Sequence, residues 1–172
     1  MPINMTPEEY FEAFTLGNYN DFLDNPSSVM KAFNSAVAAS HLADCYYNYN
    51  KKNNPGLVKK YKRLTDFIRF ISQNTNNYFK DIRSISNAYK HLYTGLKKNF
   101  AKYSTISSAG TIESIVFENE GINQISEELI DKNTSDLIVV YTRKTGEQIQ
   151  FNKAIEIVIN FWESTINIQF RK

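Results

Sequence analysis

Apolar side chains recur every three to four positions through the first half of the chain, and this spacing predicts helices. Thr6-Pro7-Glu8-Glu9 is a helix start, with a Thr cap, Pro at the first position and acids in the first turn. The first helix is expected to run to about Leu16, where Gly17 reads as a stop, and residues 18–24 add a short helical piece. A second, longer helix opens at Asn25-Pro26-Ser27-Ser28 and runs to about Asn48. Val29, Phe33, Ala36, Val37, Ser40, Asp44 and Tyr47 share one of its faces. Residues 51–56 read as a loop closed by two breakers, Pro55 and Gly56. Leu57, Val58, Tyr61, Leu64, Phe67, Ile68 and Ile71 form the stripe of a third helix. Tyr78, Ile82, Ile85, Tyr89 and Leu92 form that of a fourth, from Asn76 to Tyr93.

The period then shortens to two. Residues 111–118, 136–142 and 147–151 read as strands. Arg143-Lys144-Thr145-Gly146 is the turn of a hairpin, with Gly146 supplying a positive φ. Asn152 is the expected cap of a last helix carrying Ile155, Val158, Ile159, Trp162 and Ile166. The fold class predicted is α+β, mainly α: an antiparallel bundle of about four helices, then a small antiparallel sheet and a C-terminal helix. We read residues 1–172 as a single domain, with a helical core over 1–95, a connection over 96–110 and the hairpin region with its closing helix over 111–172.

Composition narrows this picture. Twelve Phe and eleven Tyr in 172 residues predict an aromatic core. One cysteine, Cys45, excludes an internal disulfide, and two histidines are too few for a zinc module. The N-terminus has acids where a signal peptide needs a basic region, and no apolar run approaches the length of a membrane span, so the expected location is cytoplasmic with no membrane partner. No Gly-rich phosphate loop is present, which argues against an ordinary nucleotide-dependent enzyme, and no cofactor is expected.

Charge is distributed unevenly. The net charge is +2, yet residues 51–103 hold thirteen bases against Asp66 and Asp81, while both flanking segments are net acidic. A basic middle calls for an anionic partner, or packs against the acidic ends of this chain or of a second copy. Lys59, Lys62, Arg63 and Arg69 on the third helix are the candidate nucleic-acid-binding cations.

The candidate chemistry lies in RSISNAYKHLY, residues 83–93. On a helical wheel Arg83, Asn87, Lys90 and His91 fall between about 80° and 180° from Ile82, away from the apolar stripe. Asp44 lies on the apolar face of the second helix, where a lone charge needs a partner, and Lys90, Arg83 or His91 is the expected one. His41 and Cys45 flank it. A structural ion pair, an edge histidine and a buried thiol are the plain readings of these three residues, and a metal site of His41, Asp44, Cys45 and His91 is the alternative.

A helical domain with an Arg and a His late in one helix resembles the HEPN superfamily of prokaryotic defence and toxin–antitoxin systems. In that family the Arg and His are four to six residues apart; here seven separate Arg83 from His91. The resemblance implies a metal-independent ribonuclease acting as a dimer. His91 would move protons, Arg83 would stabilise phosphorane charge and Asn87 would take the family's polar role, with Asp44, His41 and Lys90 in support. RNA and a second copy or other protein are then the expected partners. A non-catalytic helical interaction module is the alternative function.

Overall fold

The computed structural model describes residues 5–90, 104–116 and 137–167. Thr6 caps the first helix reciprocally: its hydroxyl accepts from the Glu9 amide at 3.2 Å and Glu9 accepts from the Thr6 amide at 2.8 Å. The helix does not stop at Gly17. It runs on as α1 (Pro7–Tyr10), a π-helical stretch (Phe11–Leu16) and α2 (Gly17–Leu23). Gly17 is a stop only where a positive φ is needed, and here it has φ −56° and sits inside the helix.

Helix α3 (Val29–Asn53) is capped by Ser28, whose hydroxyl accepts from the Lys31 amide at 3.3 Å. It extends past the expected end at Asn48. Lys51 and Lys52 lie in its last turn, where cations suit the helix dipole, and Pro55 opens the short α4 (Pro55–Val58). The expected third helix is therefore split. Its first turn is α4, residues 59–63 are not helical, and α5 (Leu64–Gln73) carries the rest. Tyr47 explains the break in part, because its hydroxyl donates to the Tyr61 carbonyl at 3.1 Å. Asn76 and Asn77 both take positive φ, 51° and 65°, in the turn before α6 (Tyr78–Lys90). Asn is among the residues that visit this region most readily.

A 3₁₀ turn (Ala109–Thr111) leads into β1 (Ile112–Val116). It pairs antiparallel with β2 (Leu137–Thr142), Ile112 opposite Tyr141, and β2 pairs with β3 (Gln148–Gln150), Tyr141 opposite Ile149. Gly146 turns the hairpin with φ 85°. Helix α7 (Phe151–Asn167) follows β3 without a linker, so Asn152 is its second residue and not its cap.

The mainly α, α+β architecture is thus as expected, a helical assembly with a small antiparallel sheet and a C-terminal helix. Helices α3 and α6 are its axis and run antiparallel: Arg83 meets Asp44, while the Tyr89 ring stacks on Phe33 at 4.9 Å. The core is aromatic where helices converge. Tyr46 stacks on Phe67 at 5.5 Å, and the fully buried Trp162 of α7 lies 5.6 Å from Tyr46 and 6.3 Å from Phe67. Ile155, Val158, Ile159 and Ile166 are buried with it. No helix is long and apolar enough to cross a membrane among the described residues.

Candidate functional site

Two polar clusters are built on α6, on different sides. The first faces α3. Arg83 Nη1 lies 3.1 Å from Asp44 Oδ1 and also reaches the Ser40 carbonyl at 3.4 Å. The expected pairing of Asp44 is therefore met by Arg83. Both side chains are half-buried. Seven residues further along the same face of α6, Lys90 Nζ contacts His41 Nε2. Asn87 is half-buried between them, one turn from Arg83. Four of the expected residues, His41, Asp44, Arg83 and Lys90, are thus brought together. His91 lies outside the described residues.

The electrostatics of this cluster are crowded. Burial holds the His41 imidazole below its usual value near 6.5, and the Lys90 and Arg83 cations push it further down, while Asp44 pulls it back up. Burial also lowers the Lys90 ammonium; Asp44 offsets part of this and Arg83 adds to it. Two cations and an imidazole with one carboxylate among them form a local excess of donors. Arg83 uses only Nη1 in its contacts among the described residues, and a guanidinium carries five N–H donors.

Cys45, next to Asp44, is buried and its thiol is raised, first by burial and then by Glu8 and Asp44. A raised thiol is a poor nucleophile. Tyr10 is held up to about 12 by burial, Cys45 and Asp44, so it is a neutral phenol beside the cluster. Among the described residues no three His, Cys, Asp or Glu side chains are grouped to hold a metal ion.

The candidate cations Lys59, Lys62, Arg63 and Arg69 are all exposed, on residues 59–63 and α5. Arg63 pairs with Asp66 at 3.4 Å at the start of α5. No hydrogen bond or ion pair joins these four to Arg83 or Lys90 among the described residues. A neighbouring cation, Lys60, lies 4.8 Å from the Phe70 ring centre.

The second cluster was not anticipated. Asp81 of α6 is 1% exposed and faces the sheet. Its Oδ2 accepts from the Tyr141 hydroxyl at 2.8 Å and from Arg143 Nε at 3.0 Å, and Arg143 Nη1 donates to Glu147 at 2.6 Å. Asp81 holds the Tyr141 phenol strongly protonated together with burial, which is the larger cause. A signal for it existed in the helical wheel: Asp81 falls near 260°, at the border of the apolar stripe. The chain was compared with protein families, curated proteins and solved structures. None of them matches it. The two clusters therefore stand on their own geometry. The one facing the sheet joins secondary-structure elements, and the one facing α3 is half-open and rich in donors.

Proposed function

We propose that this chain is a nucleic-acid-directed protein of HEPN-like type, which contacts RNA phosphates through the α3–α6 face and cleaves the strand without a metal, in a prokaryotic defence or toxin–antitoxin setting. The observation that carries the reading is the convergence of Arg83, Lys90 and His41 around Asp44. A phosphate entering this face takes donors from Arg83 and Lys90 and relieves the crowding that lowers Lys90 and His41.

Asp44 positions Arg83. Lys90 occupies the ring nitrogen of His41, so a phosphate that draws the ammonium away frees the imidazole to accept a proton. For cleavage, a histidine takes the 2′-hydroxyl proton, the 2′-oxygen bonds to phosphorus, the 5′-oxygen leaves and is protonated in turn, and the cations offset the phosphorane charge. The products are a 2′,3′-cyclic phosphate end and a 5′-hydroxyl end. His41 and the sequence-assigned His91 are the two proton carriers in this reading.

The test is incubation of the purified chain with labelled RNA, with analysis of the cleaved ends. Wild type yields cyclic phosphate ends, and His91→Ala and His41→Ala each suppress them while thermal unfolding is little changed. Absence of cleavage by wild type on structured and unstructured RNA sinks the ribonuclease. Absence of salt-dependent RNA binding sinks the nucleic-acid reading altogether and leaves the protein-interaction module.

A further inference from the structure

A shallow groove of about 190 Å³ adjoins the cluster, lined by three helical segments. The first helix contributes Tyr10, Phe14 and Asn18, α3 contributes Asn34 with Val37 and Ala38 beside it, and α6 contributes Tyr89. Pockets that take a whole ligand run to roughly 300–1,000 Å³. This one has room for a single flat ring system.

Its lining is aromatic in a specific way. Tyr10 and Phe14 pack against each other at 5.2 Å, and Tyr89 is backed by the buried Phe33 at 4.9 Å. Phe14 and Tyr89 are nevertheless 41% and 37% exposed, so each presents ring surface to an incoming group. Asn34 adds an exposed amide with donors and an acceptor, and Asn18, whose Nδ2 donates to the Phe14 carbonyl at 2.7 Å, adds its amide oxygen. None of the cationic side chains lines the groove, but Tyr10 lies near enough to Asp44 and Cys45 to feel their charge, and the helices carry the cluster onward from it. Asn34, Ala38, His41 and Cys45 succeed one another at three to four residue spacing on α3, and Ala38 precedes His41 by about 4.5 Å along the axis. Tyr89 and Lys90 are consecutive.

Aromatic rings with amide groups suit a nucleobase, which has two π-faces and a hydrogen-bonding edge. A neighbouring run of cations suits the phosphate that every base in a strand carries beside it. An apolar peptide side chain would satisfy the rings and leave the amides and cations without a role. Building on the phosphate reading above, we propose that the Tyr10–Phe14–Tyr89 groove is a base subsite for single-stranded RNA, holding one unstacked base while Arg83 and Lys90 hold the adjoining phosphate. It gives the face a preference for unpaired strands, since a base within a duplex has neither face available.

The test uses fluorescence anisotropy with a short labelled 2′-O-methyl oligonucleotide, which cannot be cleaved, and an abasic strand of the same length and charge. The intact chain should bind the base-bearing strand at least about fivefold more tightly, the lower end of what one base–aromatic stack supplies. Tyr89→Ala and Phe14→Ala, both at partly exposed positions, should erase that ratio while leaving abasic binding unchanged, and Tyr89→Phe should restore it. Equal binding of the two strands by wild type, or a ratio that survives both alanine variants, overturns the base subsite and leaves the phosphate reading standing. Failure of both strands to bind overturns the two together. Competition by 5′-AMP fixes the source of the base: displacement only at millimolar levels supports a strand, and displacement at micromolar levels overturns it in favour of a free nucleotide.

Discussion

Arg143, at the end of β2, donates from Nε to the carboxylate of Asp81 on α6 at 3.0 Å. This contact fastens the sheet to the helix that carries Arg83 and Lys90. A carboxylate that is 1% exposed has little water to fall back on. Arg143→Ala leaves it with the Tyr141 hydroxyl alone and should cost about 3–5 kcal/mol, the usual result of breaking a buried ion pair. Urea unfolding of the variant measures it, and a loss under about 1 kcal/mol would show that the pair contributes little to the fold.

Acid should weaken the fold through His41. The native state disfavours the charged imidazole, whereas the unfolded chain takes its proton near 6.5. Stability from this group is therefore complete above that pH and declines as pH falls below it, until the lowered native value is passed. Asp44, Lys90 and Arg83 face the ring, and the two cations outweigh the carboxylate in direction. His41→Gln should flatten the dependence of the unfolding midpoint on pH below about 6.5. An unchanged curve refutes the crowding.

Anion binding should run the other way. A phosphate on the α3–α6 face favours protonated His41 and charged Lys90, so binding takes up protons and strengthens as pH drops through the same interval. Titration calorimetry in two buffers of different ionisation enthalpy reads the proton uptake directly, and a null result speaks against phosphate at this face.

The two cations should differ in their variants. Lys90→Gln removes one point charge and should reduce the salt slope of RNA binding by about 0.7, with a modest loss of affinity. Arg83→Gln also leaves Asp44 unpaired beside the phosphate, so its loss should be several-fold greater. Asp44→Asn in the Arg83→Gln background should recover part of it. Independent effects of the two substitutions would show that Asp44 does not act through Arg83.

Gly146 sits at φ 85° with no atom within 4 Å of an added Cβ. Gly146→Ala therefore meets backbone strain without a clash, and should lower stability by about 1–2 kcal/mol. A melting temperature equal to wild type would mean that the hairpin relaxes at no cost.

Much of the fold was legible in the chain because its periods are clean. The α7 stripe of Ile155, Val158, Ile159, Trp162 and Ile166 is buried as read, and the hairpin turns at Gly146 with the positive φ expected of it. The misreadings share one cause. Gly17, Lys51 and Asn152 were judged by local habit, yet each takes an ordinary helical place because the surrounding helix is held by packing. At the split of the third helix the Tyr61 carbonyl accepts from the Tyr47 hydroxyl, fourteen residues earlier on another helix, which local spacing does not announce. In the candidate site, Asp44 was conspicuous because it interrupts an apolar face. Asp81 escapes such a reading because it borders its stripe instead of interrupting it, and its partners Tyr141 and Arg143 lie 60 and 62 residues further on, in the hairpin. The groove was invisible for the same reason: Phe14, Asn34 and Tyr89 come together only through helix packing.

The π-helical stretch Phe11–Leu16 holds one residue more than an α-helix would place in the same turn. The surplus is taken up within the stretch, so deleting one residue there should return the backbone to ordinary α-helical bonding and leave Pro7–Tyr10 and α2 in nearly their present orientation. Tyr10 would keep its side of the helix and the Thr6 cap its place. One further residue, with no second bulge to absorb it, would instead turn the segment before it by about 100°.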